Sequence, residues 1–299
     1  MALLIITTIL WAFSFSLIGE YLAGSVDSYF SVLMRVGLAA LVFLPFLRTR
    51  GQSPRTIVLY MLVGAMQLGI MYLLAFRAYL YLTVSEFLLF TVFTPLYITL
   101  IYDLLSGRKL RWGYLLSAAL AVLGAAIIRY DKVSDHFWTG LLLVQLSNLC
   151  FAIGMVGYKR LMEVRPMPQH NAFAWFYVGA FIVAVAAWFM LGNAQKLPTT
   201  TLQWSVLVWL GVVASGLGYF MWNYGATQVD AGTLGIMNNV HVPAGLLVNL
   251  AIWQQQPHWP SFLIGGAVIL ASLWVHRRWV APRSAQTEDG RTRGSALSE

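Results

Sequence analysis

The sequence predicts an all-α integral membrane protein with ten transmembrane helices in two inverted five-helix repeats. Three observations carry this expectation. Hydrophobic residues make up 59% of the 299-residue chain and charged residues only 10%, whereas a water-soluble protein carries about a quarter charged residues. Apolar runs of about 20 residues, each long enough to cross a hydrocarbon core about 30 Å thick, follow one another almost without interruption. The second half of the chain also repeats anchors of the first at a constant spacing.

The spans fall at about 2–19, 28–47, 56–80, 84–104, 112–129, 137–159, 170–191, 202–226, 232–253 and 259–280. The first lacks a basic leader and no small-residue cleavage site precedes Glu20, so it reads as a membrane helix and not a signal peptide. The loops between spans are short and carry turn formers, as in Gly51-Gln52-Ser53-Pro54 and Pro166-Met167-Pro168. The expected organisation is a first repeat over 1–135 and a second, inverted repeat over 136–281. Residues 282–299 form a polar cytoplasmic tail that reads as disordered. The single cysteine, Cys150, excludes an intrachain disulfide and reads as a small buried hydrophobe.

The net charge of +8 reflects membrane topology and gives no reason to invoke nucleic acid. With the N-terminus in the cytoplasm, fourteen of the 19 Lys and Arg residues fall on the inner side and only Arg129, Lys132 and Lys196 on the outer. Arg35 and Arg77 lie within spans. This bias places both termini inside, and the expected location is a bacterial-type inner membrane.

Gly64, Gly69 and Tyr72 recur as Gly211, Gly216 and Tyr219, each 147 residues later, and Trp112 recurs as Trp259 at the same offset. Pro95 lies opposite Pro243 with a slip of one residue, and Trp11-Ala12-Phe13-Ser14 lies against Phe151-Ala152-Ile153-Gly154. A half with five spans is odd-numbered, so the second half sits inverted. Inverted repeats supply the two near-equivalent packings that alternating access needs, which points to a small-molecule carrier.

The candidate site residues follow from what is costly in lipid. Thr94-Pro95 and Val242-Pro243 form a matched pair of helix interruptions, where freed backbone groups can meet a substrate or be satisfied by neighbouring helices. Asn238 and His241 share a helix face and serve either as interhelical glue or as substrate or proton ligands. Asn148 and Gln145 are three residues apart and are further polar candidates. Trp11 and Phe15 share a face, as do Tyr72 and Tyr79, and Tyr219 and Asn223. With Trp175 they form either core packing or an aromatic cavity wall suited to an apolar substrate or an ammonium. Arg35 holds a substrate carboxylate or phosphate, or pairs with Glu20, Asp27 or Glu86. Arg77 and Glu86 flank a tight turn and form either an ion pair or a gate latch.

The pattern resembles the EamA-type drug/metabolite transporters over residues 1 to about 280. The residues that carry the resemblance are LWAFSFSL (10–17), Arg35, the run from Gly69 through Thr94-Pro95 to Trp112-Gly113, and its recurrence from Gly216 through Pro243 to Gly265-Gly266. The acid that this family often carries after the fourth and ninth helices is replaced by Ser106-Gly107-Arg108-Lys109 and Gln254-Gln255-Gln256. Within the superfamily the aromatic-rich core is most similar to bacterial amino-acid exporters of the YddG type. The resemblance implies a secondary transporter exporting amino acids with apolar or aromatic side chains. The rival cargoes are other small metabolites or cationic drugs, and the rival class is a membrane enzyme acting on a lipid-linked substrate. The expected partners are the small-molecule substrate and membrane lipid, in a monomer or homodimer without nucleic acid. No phosphate-binding loop, metal-ligand spacing or Ser/His/Asp set is visible, so no cofactor and no metal are expected.

Overall fold

The computed structural model describes residues 2–105, 135–229, 231–254 and 259–279, with six isolated positions between 116 and 127. Within them all regular structure is helical. The helices are α1 (Ala2–Leu22), α2 (Ser28–Phe46), α3 (Pro54–Ala78), α4 (Val84–Leu105), α5 (Asp135–Val164), α6 (Gln169–Leu191), α7 (Thr201–Ala226), α8 (Ala231–Trp253) and α9 (Trp259–Trp279). The first seven are each long and apolar enough to cross a membrane. The predicted span at 112–129 lies outside the described residues, as does the polar tail.

The chain divides into two compact units, one formed by Met1–Pro95 with Ser134–Gln255 and the other by Leu96–Val133 with Gln256–Glu299. In the second unit Leu96 packs against Tyr97 and Leu100. In the first, α2 lies against α6 and the middle of α7, α3 against α5 and α6, and α1 against α8 and the C-terminal part of α7. Large apolar side chains point outward, among them Phe189, Met190 and Leu247. Polar residues such as Arg35, Gln67, Asn148, Asn223 and Asn238 are buried. That arrangement suits a hydrocarbon surround, in which polar groups must find partners inside the protein.

Local sequence sets where the helices start and how they bend. Ser53 and Thr200, 147 residues apart, are the N-caps of α3 and α7, each accepting a backbone N–H three residues on. Both helices then widen into π-helical turns, at Ala65–Ile70 and Leu210–Leu217. A π turn loosens the regular ladder and frequently marks a functional site. Between α3 and α6 the backbones touch. A Cβ on Gly64 would meet the Phe176 backbone and a Cβ on Gly179 the Met61 backbone. Small residues at such crossings allow the close approach that drives helix association in lipid.

The two prolines behave differently. α4 is interrupted at Val92-Phe93, just before Thr94-Pro95. Proline cannot donate to the Thr91 carbonyl, and the Thr94 hydroxyl donates there instead at 2.7 Å. Pro243 sits exposed inside a continuous helix. The expectation of two matched breaks is therefore corrected to one. An exposed ring has room for the steric adjustment that an interior proline requires.

Candidate binding cavity

The first unit holds a partly open cavity of about 650 Å³, counting space open to solvent, lined by residues of α1, α2, α3, α4, α5, α7 and α8. Of the candidate residues named from the sequence, nine line it: Trp11, Phe15, Arg35, Tyr72, Tyr79, Thr94, Asn148, Tyr219 and Asn238.

Arg35 is the charged group of this wall. It is only 3% exposed, and among the described residues no carboxylate lies within ion-pair distance of it. The expected pairing with Glu20, Asp27 or Glu86 is thus not formed. Its Nε donates to Ser215 Oγ at 2.6 Å, and its guanidinium lies over the Tyr72 ring, 4.2 Å from the centroid. Ser215 Oγ is also 2.8 Å from the Tyr72 hydroxyl, and its carbonyl accepts from Tyr177 Oη at 2.7 Å. These contacts fix the guanidinium through Nε and one face. The two Nη groups are the part of the fork best suited to a bidentate anion.

The aromatic wall is built on the same π turn of α7. Trp11 Nε1 donates to the Ala214 carbonyl at 3.0 Å, which orients the indole against Tyr219 (centroids 4.5 Å apart) and Trp222 (5.0 Å). Phe151, the residue opposite Trp11 in the repeat alignment, meets both Trp11 and Tyr219 edge-on. On another side Tyr79 stacks on Phe87 at 4.3 Å, and Phe15 lies 5.9 Å from the same ring. The α4 interruption is tied to α5, because the Phe90 carbonyl accepts from Asn148 Nδ2 at 2.9 Å and from Gln145 Nε2 at 3.3 Å. Two further polar atoms stay unused. Tyr79 Oη and Asn238 Nδ2 are buried and have no hydrogen-bond partner among the described residues.

Five predicted residues are not brought to the cavity wall. Trp175 is half-buried and donates to the Arg48 carbonyl at 3.2 Å, anchoring a loop. Asn223 is fully buried in a reciprocal pair with Gln67, with bonds of 2.9 and 3.0 Å, which joins α7 to α3. Pro95 shapes the α4 interruption without lining the cavity. Glu86 closes a capping box with Thr83 at the start of α4, its Oε2 accepting from the Thr83 N–H at 2.8 Å. Arg77 lies near the Tyr29 ring, so the expected Arg77–Glu86 ion pair does not form. A first-turn carboxylate is stabilised by the helix N-terminus, which competes with the arginine for Glu86. The side chain of His241 lies outside the described residues. Ser215, Phe87, Met71 and Phe76 also line or organise the site and went unseen in the sequence, where a serine or phenylalanine in an apolar run carries no distinguishing signal.

The Gln67–Asn223 pair yields a stability prediction. Asn223→Leu strands the buried Gln67 amide at a cost of about 1–3 kcal/mol, so the melting temperature in detergent should fall. The double variant with Gln67→Leu should recover part of that loss. A double variant less stable than Asn223→Leu alone would refute the pairing as the cause.

Residues 1–130 and 138–277 match the EamA-like transporter family. The chain belongs to the EamA-like transporter family. It is 82% identical over the full length of both chains to the biotin transporter of Escherichia coli (strain K12). It is 56% identical to a probable biotin transporter of Pseudomonas aeruginosa, over 93% of this chain and 97% of that one. A crystal structure at 18% identity superposes with a TM-score of 0.64, covering 92% of this chain and 95% of the other, and shares the fold. The protein is therefore a multi-pass membrane transporter of a small molecule, not an enzyme. The names of these relatives give biotin as the cargo, and amino-acid export finds no support in them.

Proposed function

We propose that this EamA-like transporter carries biotin, with the carboxylate of the valerate chain on Arg35 and the fused rings against the aromatic wall. The single observation behind this reading is the buried, acid-free Arg35 in an otherwise apolar and aromatic cavity. A buried charge without a counterion is costly, and a substrate anion relieves that cost. The high identity to biotin transporters supports the same cargo. An amino acid fits less well. It brings an ammonium as well as a carboxylate, and the cavity wall holds no Asp or Glu among the described residues.

The reading includes alternating access by two inverted halves with both termini in the cytoplasm. The separate matches of the family to each half and the sidedness of Lys and Arg support it. So does the packing of loops. Arg48 bonds to Asn171, and Arg165 to Thr56 and Tyr60, each joining segments that the charge bias places inside, while Asp27 bonds to Asn193 and Lys196, joining segments that it places outside.

The test is counterflow in proteoliposomes. Labelled biotin should accumulate when unlabelled biotin is trapped inside, and trapped aromatic amino acids should drive none. Amino-acid exchange without biotin exchange would overturn the proposal.

A further inference from the structure

Tyr79 Oη and Asn238 Nδ2 stand out because buried polar atoms nearly always find a partner. They are two of only three partnerless buried side-chain polar atoms among the described residues, and both residues line the one cavity. The third, Ser31 Oγ, is not on the cavity wall. Tyr79 is 7% exposed and Asn238 2%, so bulk water does not satisfy them. An amide nitrogen can only donate, and a phenol can donate. The Tyr79 ring is clamped by stacking on Phe87, so its hydroxyl has little freedom to seek another acceptor. The cavity thus supplies a cationic group at Arg35 and two neutral donors.

We propose that Tyr79 and Asn238 form a carbonyl-recognition subsite that takes an uncharged, strongly polarised carbonyl oxygen of the substrate, of the cyclic-urea class. This rests on the cavity being the transport site and deepens the biotin reading, since biotin carries such a urea at the end opposite its carboxylate. Two neutral donors suit an uncharged carbonyl, which loses less solvation than an anion on entering an apolar wall. A hydrogen-bonding cation is disfavoured at Asn238 Nδ2, where a donor would meet a donor.

Purified protein is melted with the bare cyclic urea imidazolidinone and, separately, with its cyclic guanidinium analogue. The urea should raise the melting temperature in the wild type and the guanidinium should not. Tyr79→Phe and Asn238→Leu should each abolish the urea's effect while the proteins remain folded by size-exclusion profile. In biotin counterflow, competition by iminobiotin should be weaker than that by desthiobiotin by about tenfold or more, equivalent to about 1.4 kcal/mol. That preference should vanish in Asn238→Asp, which exchanges a donor for an acceptor. Equal stabilisation by urea and guanidinium, or urea stabilisation that survives both substitutions, overturns the subsite even if biotin is transported. Urea stabilisation lost in both variants, in a protein that exchanges no biotin, upholds the subsite and rejects biotin as cargo.

Discussion

Arg35→Met is expected to weaken the apparent affinity for biotin in counterflow sharply while leaving the protein at least as stable as the wild type. The two effects have one cause. A buried guanidinium without an acid is an electrostatic liability, and replacing buried charge by an apolar side chain of similar length is often neutral or stabilising. Ser215 Oγ and the Tyr72 hydroxyl, 2.8 Å apart, still satisfy each other when Arg35 is gone. A charge-assisted hydrogen bond to the substrate is worth about 1.5–3 kcal/mol, so apparent affinity should drop about 10- to 100-fold. Arg35→Lys should fall between the two, because the ammonium keeps the charge but loses the Nε bond and the planar fork. Biotin amide, which lacks the anion, should compete poorly in the wild type, and Arg35→Met should no longer discriminate it from biotin. Normal biotin kinetics in Arg35→Met, or an unchanged preference for the free acid, would remove the arginine from substrate binding.

Gly64→Ala and Gly179→Ala are expected to be the most destabilising single-methyl additions among the described glycines. At both positions the added carbon runs into the carbonyl and Cα of the facing helix. Backbone cannot rotate away as a side chain can. α3 and α6 have to separate, losing dispersion contacts along a crossing that also includes Met61 and Phe176. Overpacking costs about 1–3 kcal/mol, and these sites belong at the upper end. Gly157→Ala provides the contrast, because its added carbon lies 3.2 Å from a methyl of Val63, a side chain able to shift. Melting curves by fluorescence-detected size exclusion should rank Gly64→Ala and Gly179→Ala well below Gly157→Ala. Equal melting temperatures for the three would refute the backbone contact as the determinant.

Much of the site was legible because lipid makes polarity conspicuous. An arginine, an asparagine or a proline inside an apolar span is expensive, and Arg35, Asn148, Asn238 and Thr94 came to notice for that reason and do line the cavity. The same cost singled out Asn223, which the structure uses to pair with Gln67. Polarity shows that a partner is needed without showing which one. Trp175 and Glu86 illustrate the second limit. Each sits near a helix end, where local needs such as a loop carbonyl or an N-cap claim the side chain first.

The sequence by itself determined the all-helical membrane fold, because span length and composition are set by the thickness and polarity of the bilayer, one segment at a time. It also determined that Arg35 required an unusual environment. Only the tertiary structure decided that this environment contains Ser215 and no acid, 180 residues away along the chain. That outcome depends on the rotation of α7 about its axis, which the π turn at Leu210–Leu217 alters. Helix rotation is fixed by packing against several neighbours at once, and no single segment encodes it.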